Sequence, residues 1–86
     1  MEFEFDPAKS AANLEKHGID FVQAQEIWFG ETLQLQANSE AEDQVLVIGL
    51  CDGKLWSSIC TQRALKMRII SVRRARESER ALYENR

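Results

Sequence analysis

The side chains best suited to chemistry in this chain of 86 residues are arginines, and they gather in its second half. Residues 45–86 contain Arg63, Arg68, Arg73, Arg74, Arg76, Arg80 and Arg86; with two lysines they oppose four acids, a balance of +5. Residues 1–44 carry two lysines against ten acids, a balance of −8. A guanidinium is a planar fork of donors that grips phosphate or carboxylate through two bonds. Such groups can hold a polyanion backbone and stabilise the charge added during phosphoryl transfer. A single arginine is more often an ion-pair partner of the acidic half. That use explains the adjacent Arg73 and Arg74 less well.

Other chemistries find little support. The chain has no glycine-rich phosphate loop, no nucleophile elbow and no paired-carboxylate motif, and His17 is its one histidine. No Cys/His cluster has metal-ligand spacing, so neither a metal site nor a cofactor is expected. With 44% apolar and 29% charged residues, four glycines and one proline, the composition is that of a soluble globule and not of a disordered or collagen-like chain. No apolar run approaches the ~20 residues of a membrane helix. Met1-Glu2-Phe3-Glu4 lacks the basic start of a signal peptide. The expectation is a single cytoplasmic domain spanning 1–86, without a membrane partner.

The elements that must position the arginines can be read in order. Phe3-Glu4-Phe5 alternates as a short strand, and Asp6-Pro7 then supplies an N-cap and a first helical residue. A helix follows over Pro7–His17, with Ala8, Ala11 and Leu14 as its apolar stripe and Gly18 as its stop. Asp20 and Gln23 resemble a capping box for a second helix, Phe21–Trp28, in which Phe21 and Trp28 are core residues. Leu33 and Leu35 mark a strand before a polar loop over Asn38–Asp43. Val45–Cys51 reads as a strand covered on both faces and central to the sheet. Asp52-Gly53 fits a two-residue type I′ turn, whose central residues both need positive φ.

That turn sets a register in which Cys51 faces Lys54 and Cys60 faces Val45. The two cysteines are then six positions apart, about 20 Å at ~3.3 Å per residue, and cannot form a disulfide. The register also places Arg63 at a strand end, on the face of Leu46, Ile48 and Ser57. Met67–Val72 is a further strand, with Ile69 on one face, Ile70 and Val72 on the other, and Arg73 and Arg74 delivered to opposite faces of its end. Ala75–Tyr83 reads as a terminal helix. The fold class is α+β, a small antiparallel sheet with two N-terminal helices and one C-terminal helix in the order β-α-α-β-β-β-β-α.

The ordered set of motifs resembles one family over nearly the whole chain, the BrnT-type toxins of type II toxin–antitoxin pairs. It begins with Phe3-Glu4-Phe5-Asp6-Pro7-Ala8-Lys9, Asn13-Leu14, Lys16-His17-Gly18-Ile19, Phe21 and Ala24. It continues through Gly49, Asp52-Gly53, Thr61, Arg63 and Arg68–Ala75 to Glu79-Arg80 and Tyr83. Phe5 stands where a tryptophan is usual, and Cys60 where an aromatic is common. Ala64-Leu65-Lys66 replaces a glycine-containing turn with residues that have no turn chemistry.

The resemblance implies a RelE-like fold and a metal-independent endoribonuclease that inhibits translation. Its partners would be RNA and a BrnA-type antitoxin, the latter in a 2:2 complex that binds operator DNA through the antitoxin. By the same resemblance Arg63, Arg73 and Arg74 are the catalytic candidates, with Arg68, Arg76, Lys9 and Tyr83 as candidates for RNA binding. The implied chemistry is attack of the RNA 2′-hydroxyl on the adjacent phosphate. Arginine is a poor proton acceptor, so a base is needed, and Glu77, His17, Lys9 and Tyr83 are the candidates. Each has a plainer use: His17 as a helix cap, Tyr83 as a packing residue, Lys9 as a solvated charge and Arg68 as a stem covering the sheet. Two rival readings stand beside the nuclease. One is an inactive toxin-like module that binds an antitoxin for autoregulation; the other is a nucleic-acid binder without chemistry, which the net charge of −3 disfavours. The nuclease reading expects the three arginines to converge on one anion pocket.

Overall fold

The computed structural model describes residues 1–37 and 43–86. Among them the order is β1 (Glu2–Glu4), α1 (Pro7–His17), a 3₁₀ helix (Gln23–Phe29), β2 (Thr32–Ala37), β3 (Gln44–Cys51), β4 (Lys54–Arg63), β5 (Lys66–Arg74) and α2 (Glu77–Glu84). The strands form one sheet in the order β1-β5-β4-β3-β2. It is antiparallel except at β1, which joins β5 in parallel. The fold is α+β as expected, and no helix among the described residues is long and apolar enough to cross a membrane. Apart from Asp43, the expected Asn38–Asp43 loop lies outside the described residues.

Local chemistry explains the best-placed elements. Asp6 accepts the Ala8 N–H at 2.8 Å, Pro7 opens α1, and Gly18 closes it at φ 80° with its N–H on the Leu14 carbonyl. The Asp52-Gly53 turn has φ values of 53° and 74°, and Cys51 pairs with Lys54 and Cys60 with Val45. Both thiols are free and buried. Burial pushes Cys60 up to about 11 and also raises Cys51, which Glu26 raises further, so neither is a thiolate at neutral pH.

The face of α1 turned to the sheet is not the apolar stripe. Ala8, Ala11 and Leu14 are exposed, whereas Ser10 and Asn13 are buried. The cause is the outer edge of β5, where β1 covers only Lys66–Arg68. Beyond it Asn13 supplies the missing ladder: its amide nitrogen donates to the carbonyls of Val72 (2.9 Å) and Ile19 (2.8 Å), and its oxygen accepts the Val72 N–H (3.2 Å). Ser10 accepts the Phe21 N–H at 2.9 Å. These bonds satisfy buried backbone groups that would otherwise each cost about 1–3 kcal/mol.

Three further expectations are corrected. The second helix is a 3₁₀ helix and not α-helical; it buries Ala24 and Ile27, three residues apart and therefore in line at three residues per turn. Asp20 still caps its approach, accepting the N–H groups of Val22 and Gln23. This helix packs so closely on β3 that a Cβ on Gly49 would lie 2.9 Å from the Ile27 carbonyl oxygen. Secondly, the middle strand is β4; β3 lies one place outward, and its Leu50 is half exposed. Thirdly, Ile69 and Val72 share one face, because Ile59 pairs with Ser71 and Cys60 with Ile69, leaving Ile70 as the extra residue of a bulge.

The sheet carries two cores. Under α1 and the 3₁₀ helix lie Phe21, Ile27, Val47, Trp56, Ile69 and Val72, joined by Phe3, Phe5 and Trp28. Under α2 lie Ile48, Leu55 and Tyr83, joined by Leu33, Leu35, Leu46 and Ala75.

Candidate functional site

Arg73 and Arg74 end β5, and strand alternation sends them to opposite faces. Arg74 stands opposite Trp56 in the ladder, with its guanidinium carbon 5.4 Å from the indole centroid. The indole is itself fixed, 8% exposed and donating its N–H to the Cys51 carbonyl at 3.1 Å. Arg74 Nε donates to the Leu55 carbonyl at 3.2 Å, and among the described residues neither Nη nitrogen has an acceptor. A charged fork is thus seated on a rigid ring with its two terminal donors free. It borders a cleft of about 290 Å³ whose walls include His17 and Ile19 after α1, Gln23, and Asp52 and Lys54 of the hairpin. Asp52 is the one carboxylate among the described lining residues, against Arg74, Lys54 and the imidazole.

Arg73 occupies a closed corner under α2. Its two Nη atoms bond Glu79 Oε1 and Oε2 at 2.7 and 2.8 Å. Glu79, 8% exposed, also accepts from Ser57 Oγ and from the Arg76 N–H, each at 2.8 Å. These donors hold its carboxyl at about 2, well below its ordinary 4.5, with the Arg73 bonds the largest cause and burial opposing them. The same pairing raises Arg73 further. Ser57 stands opposite Arg73, so donors from β4, β5 and the N-cap of α2 close on one carboxylate.

Arg63 lies at the other end of the sheet. It is exposed, opposite Lys66, and six residues along β4 from Ser57, about 20 Å at ~3.3 Å per residue. The open groove beside it, about 870 Å³, is lined by Glu2, Glu4 and Asp43 as well as by Arg63 and Lys66. Arg68 is half-buried and pairs with Glu4 at 3.8 Å. The groove is larger than the cleft, but its carboxylates outnumber its lining cations, and a polyanion gains less there than in the cleft. The turn beside Arg63 closes without glycine, with Ala64 held at φ 54° and Leu65 88% exposed.

The expected convergence of three arginines therefore does not occur: Arg63, Arg73 and Arg74 stand at three separate places, and one of them is sealed by a carboxylate. Tyr83 is buried, its hydroxyl donating to the Glu31 carbonyl at 2.9 Å and its ring covered by Arg86, which pairs with Glu31. It presents no free face for a base. Lys9 is exposed on the first turn of α1, and Arg76 is exposed at the N-cap of α2.

The chain matches the family model of the BrnT ribonuclease toxins of type II toxin–antitoxin systems over residues 5–79. It belongs to the BrnT family. No curated protein matches the chain. The BrnT match encloses the cleft, the Arg73–Glu79 corner and Arg63, but ends before Tyr83 and Arg86. A BrnT toxin acts as a ribonuclease and has an antitoxin partner. The cleft is lined by more cations than carboxylates, Arg74 and Lys54 against Asp52, and the groove at Arg63 is not.

Two residues take their places only in the assembled fold. Lys54 was legible as the residue after the Asp52-Gly53 turn, but linking it to Arg74 needs the β4–β5 register, which the bulge at Ile70 hides. Glu79 belongs to the motifs of the resemblance, but its pairing with Arg73 depends on α2 folding back over Ser57.

Proposed function

We propose that this BrnT chain is an active endoribonuclease that cleaves RNA by 2′-hydroxyl attack on the adjacent phosphate and so inhibits translation. The route needs a charge stabiliser and a proton acceptor, and no bound metal. It leaves a 2′,3′-cyclic phosphate and a 5′-hydroxyl. Arg74 is the stabilising group; the observation that carries this is its pair of Nη nitrogens, unpartnered among the described residues, at the mouth of a cleft. Arg73 is a structural residue, which pins the end of β5 to α2 through Glu79. Arg63 in the carboxylate-rich groove, Arg68 paired with Glu4, and the exposed Arg76 and Lys9 lie outside the cleft and take no part in the chemical step. A BrnA-type antitoxin neutralises the toxin in a 2:2 complex that binds operator DNA through the antitoxin.

One observation favours the rival reading of an inactive interaction module: the sealed Arg73–Glu79 pair removes one of the two adjacent arginines from RNA. The deciding experiment incubates purified protein with RNA in the presence of a chelator, beside Arg74→Ala. The nuclease reading expects cleavage with cyclic-phosphate ends by the wild type and a loss of about 10²–10³-fold in the variant. An inert wild type that still captures antitoxin would establish the rival.

A further inference from the structure

We infer that His17 is the proton acceptor of this BrnT nuclease and Lys54 the second cation on the scissile phosphate, so that the cleft they share with Arg74 is the catalytic centre. The inference rests on the ribonuclease reading and adds to it the groups that move protons.

The argument begins with what His17 does not do. It ends α1, where a histidine commonly caps carbonyls, yet the last turn is closed by the Gly18 N–H, and among the described residues the imidazole has no hydrogen-bond partner. It is half-buried on the cleft wall. A half-buried imidazole without a protein partner, beside an arginine with two free donors, is placed to exchange a proton with a bound ligand. The other candidate bases stand elsewhere. Glu77 is exposed at the first residue of α2, on the far side of the sheet; Lys9 is exposed on the first turn of α1; the Tyr83 hydroxyl is committed to Glu31.

Lys54 completes the set. The type I′ turn places it opposite Cys51, and it lines the cleft with His17 and Arg74. Three elements thus deliver three nitrogenous side chains to one hollow: the end of α1, the start of β4 and the end of β5. The volume, about 290 Å³, is near the lower limit of small-ligand sites, suited to one nucleotide of a single strand and too small for a duplex.

In the proposed step the 2′-oxygen attacks phosphorus while its proton passes to the His17 imidazole. The P–O5′ bond breaks, and the leaving 5′-oxygen takes a proton from the Lys54 ammonium. The imidazolium and the lysine amine then restore their protons through solvent, leaving the enzyme unchanged. Arg74, held over Trp56, carries the added charge on the non-bridging oxygens.

The test measures cleavage of a single-stranded RNA by wild type, His17→Ala, His17→Gln, Lys54→Ala and Lys16→Ala, the last an exposed neighbour as control. Binding of the same oligonucleotide with 2′-deoxy sugars is followed by fluorescence anisotropy. Loss of cleavage by about 10²–10⁴-fold in both His17 variants is expected, with deoxy-oligonucleotide binding little changed. Added imidazole should restore part of the activity of His17→Ala, and Lys16→Ala should match the wild type. Cleavage by the His17 variants at the wild-type rate, or no response of His17→Ala to imidazole, overturns the assignment while the ribonuclease reading stands. A wild type that leaves RNA intact overturns that reading, and this assignment with it.

Discussion

Arg73 and Arg74 are adjacent in sequence, yet the corners they occupy differ in almost every physical respect. Under α2, Arg73 meets a carboxylate in two bonds, and Ser57 Oγ and the Arg76 N–H add two more donors on Glu79 Oε1. On the other face, Arg74 meets an aromatic ring and one backbone carbonyl, and its terminal nitrogens stay unpaired among the described residues. Identical side chains thus carry two different duties, and the one-residue alternation of a strand separates them. A saturated guanidinium holds structure. An unsaturated one is available to a ligand.

The contrast can be broken most forcefully on the saturated side. Arg73→Ala leaves Glu79 buried beside two weaker donors, and it should lower unfolding stability by about 3–4 kcal/mol in urea denaturation. Arg74→Ala, at a more exposed position, should cost less than about 1 kcal/mol. Slightly smaller is the pH effect of the same pair. The Glu79 carboxyl is depressed in the folded protein, so its contribution is complete above its ordinary 4.5 and lost as pH falls through about 2. Stability should therefore drop by about 3 kcal/mol across that window. A Glu79→Gln variant followed by acid titration should start less stable and show a flatter profile there.

Next in size is the α1 dock. Asn13→Leu leaves the Val72 N–H and carbonyl buried without partners, and a loss of about 2 kcal/mol is expected from thermal unfolding. The smallest change acts at the opposite end of the sheet. Ala64 holds φ 54°, a conformation costly for a residue with a Cβ. Ala64→Gly should relieve that strain, and after the extra freedom gained by the unfolded chain it should raise stability by about 0.5–1 kcal/mol. A lower denaturation midpoint in that variant would show that the turn is not strained.

The legible and hidden parts of this molecule follow from the range of the forces involved. Asp6-Pro7, Gly18 and Asp52-Gly53 act through their own backbone angles, so α1, the hairpin and its register could be read directly. Asn13 was hidden because hydrophobic spacing in α1 favours Ala8, Ala11 and Leu14. The demand Asn13 meets comes from Val72, a strand away in space and remote in sequence. The bulge at Ile70 was hidden because alternation assumes an unbroken pleat, and it moved Val72 onto the face of Ile69. Family likeness singled out Arg63, Arg73 and Arg74 as candidates, but strand alternation sends the last two to opposite faces, the length of β4 keeps Arg63 at the far end of the sheet, and Glu79 seals Arg73. The expectation of a single pocket failed for that reason. The cleft at His17 emerged only when three elements were assembled.

The most direct test of the division between structure and chemistry measures two properties on the same two variants: unfolding free energy, and RNA cleavage rate per folded molecule. Arg73→Ala should unfold readily but cleave within about threefold of wild type when corrected for its folded fraction, as expected of a group that stabilises the fold without touching RNA. Arg74→Ala should fold almost as well as wild type and cleave about 10²–10³-fold more slowly. The reverse pattern, with cleavage abolished in folded Arg73→Ala and retained in Arg74→Ala, would contradict the account.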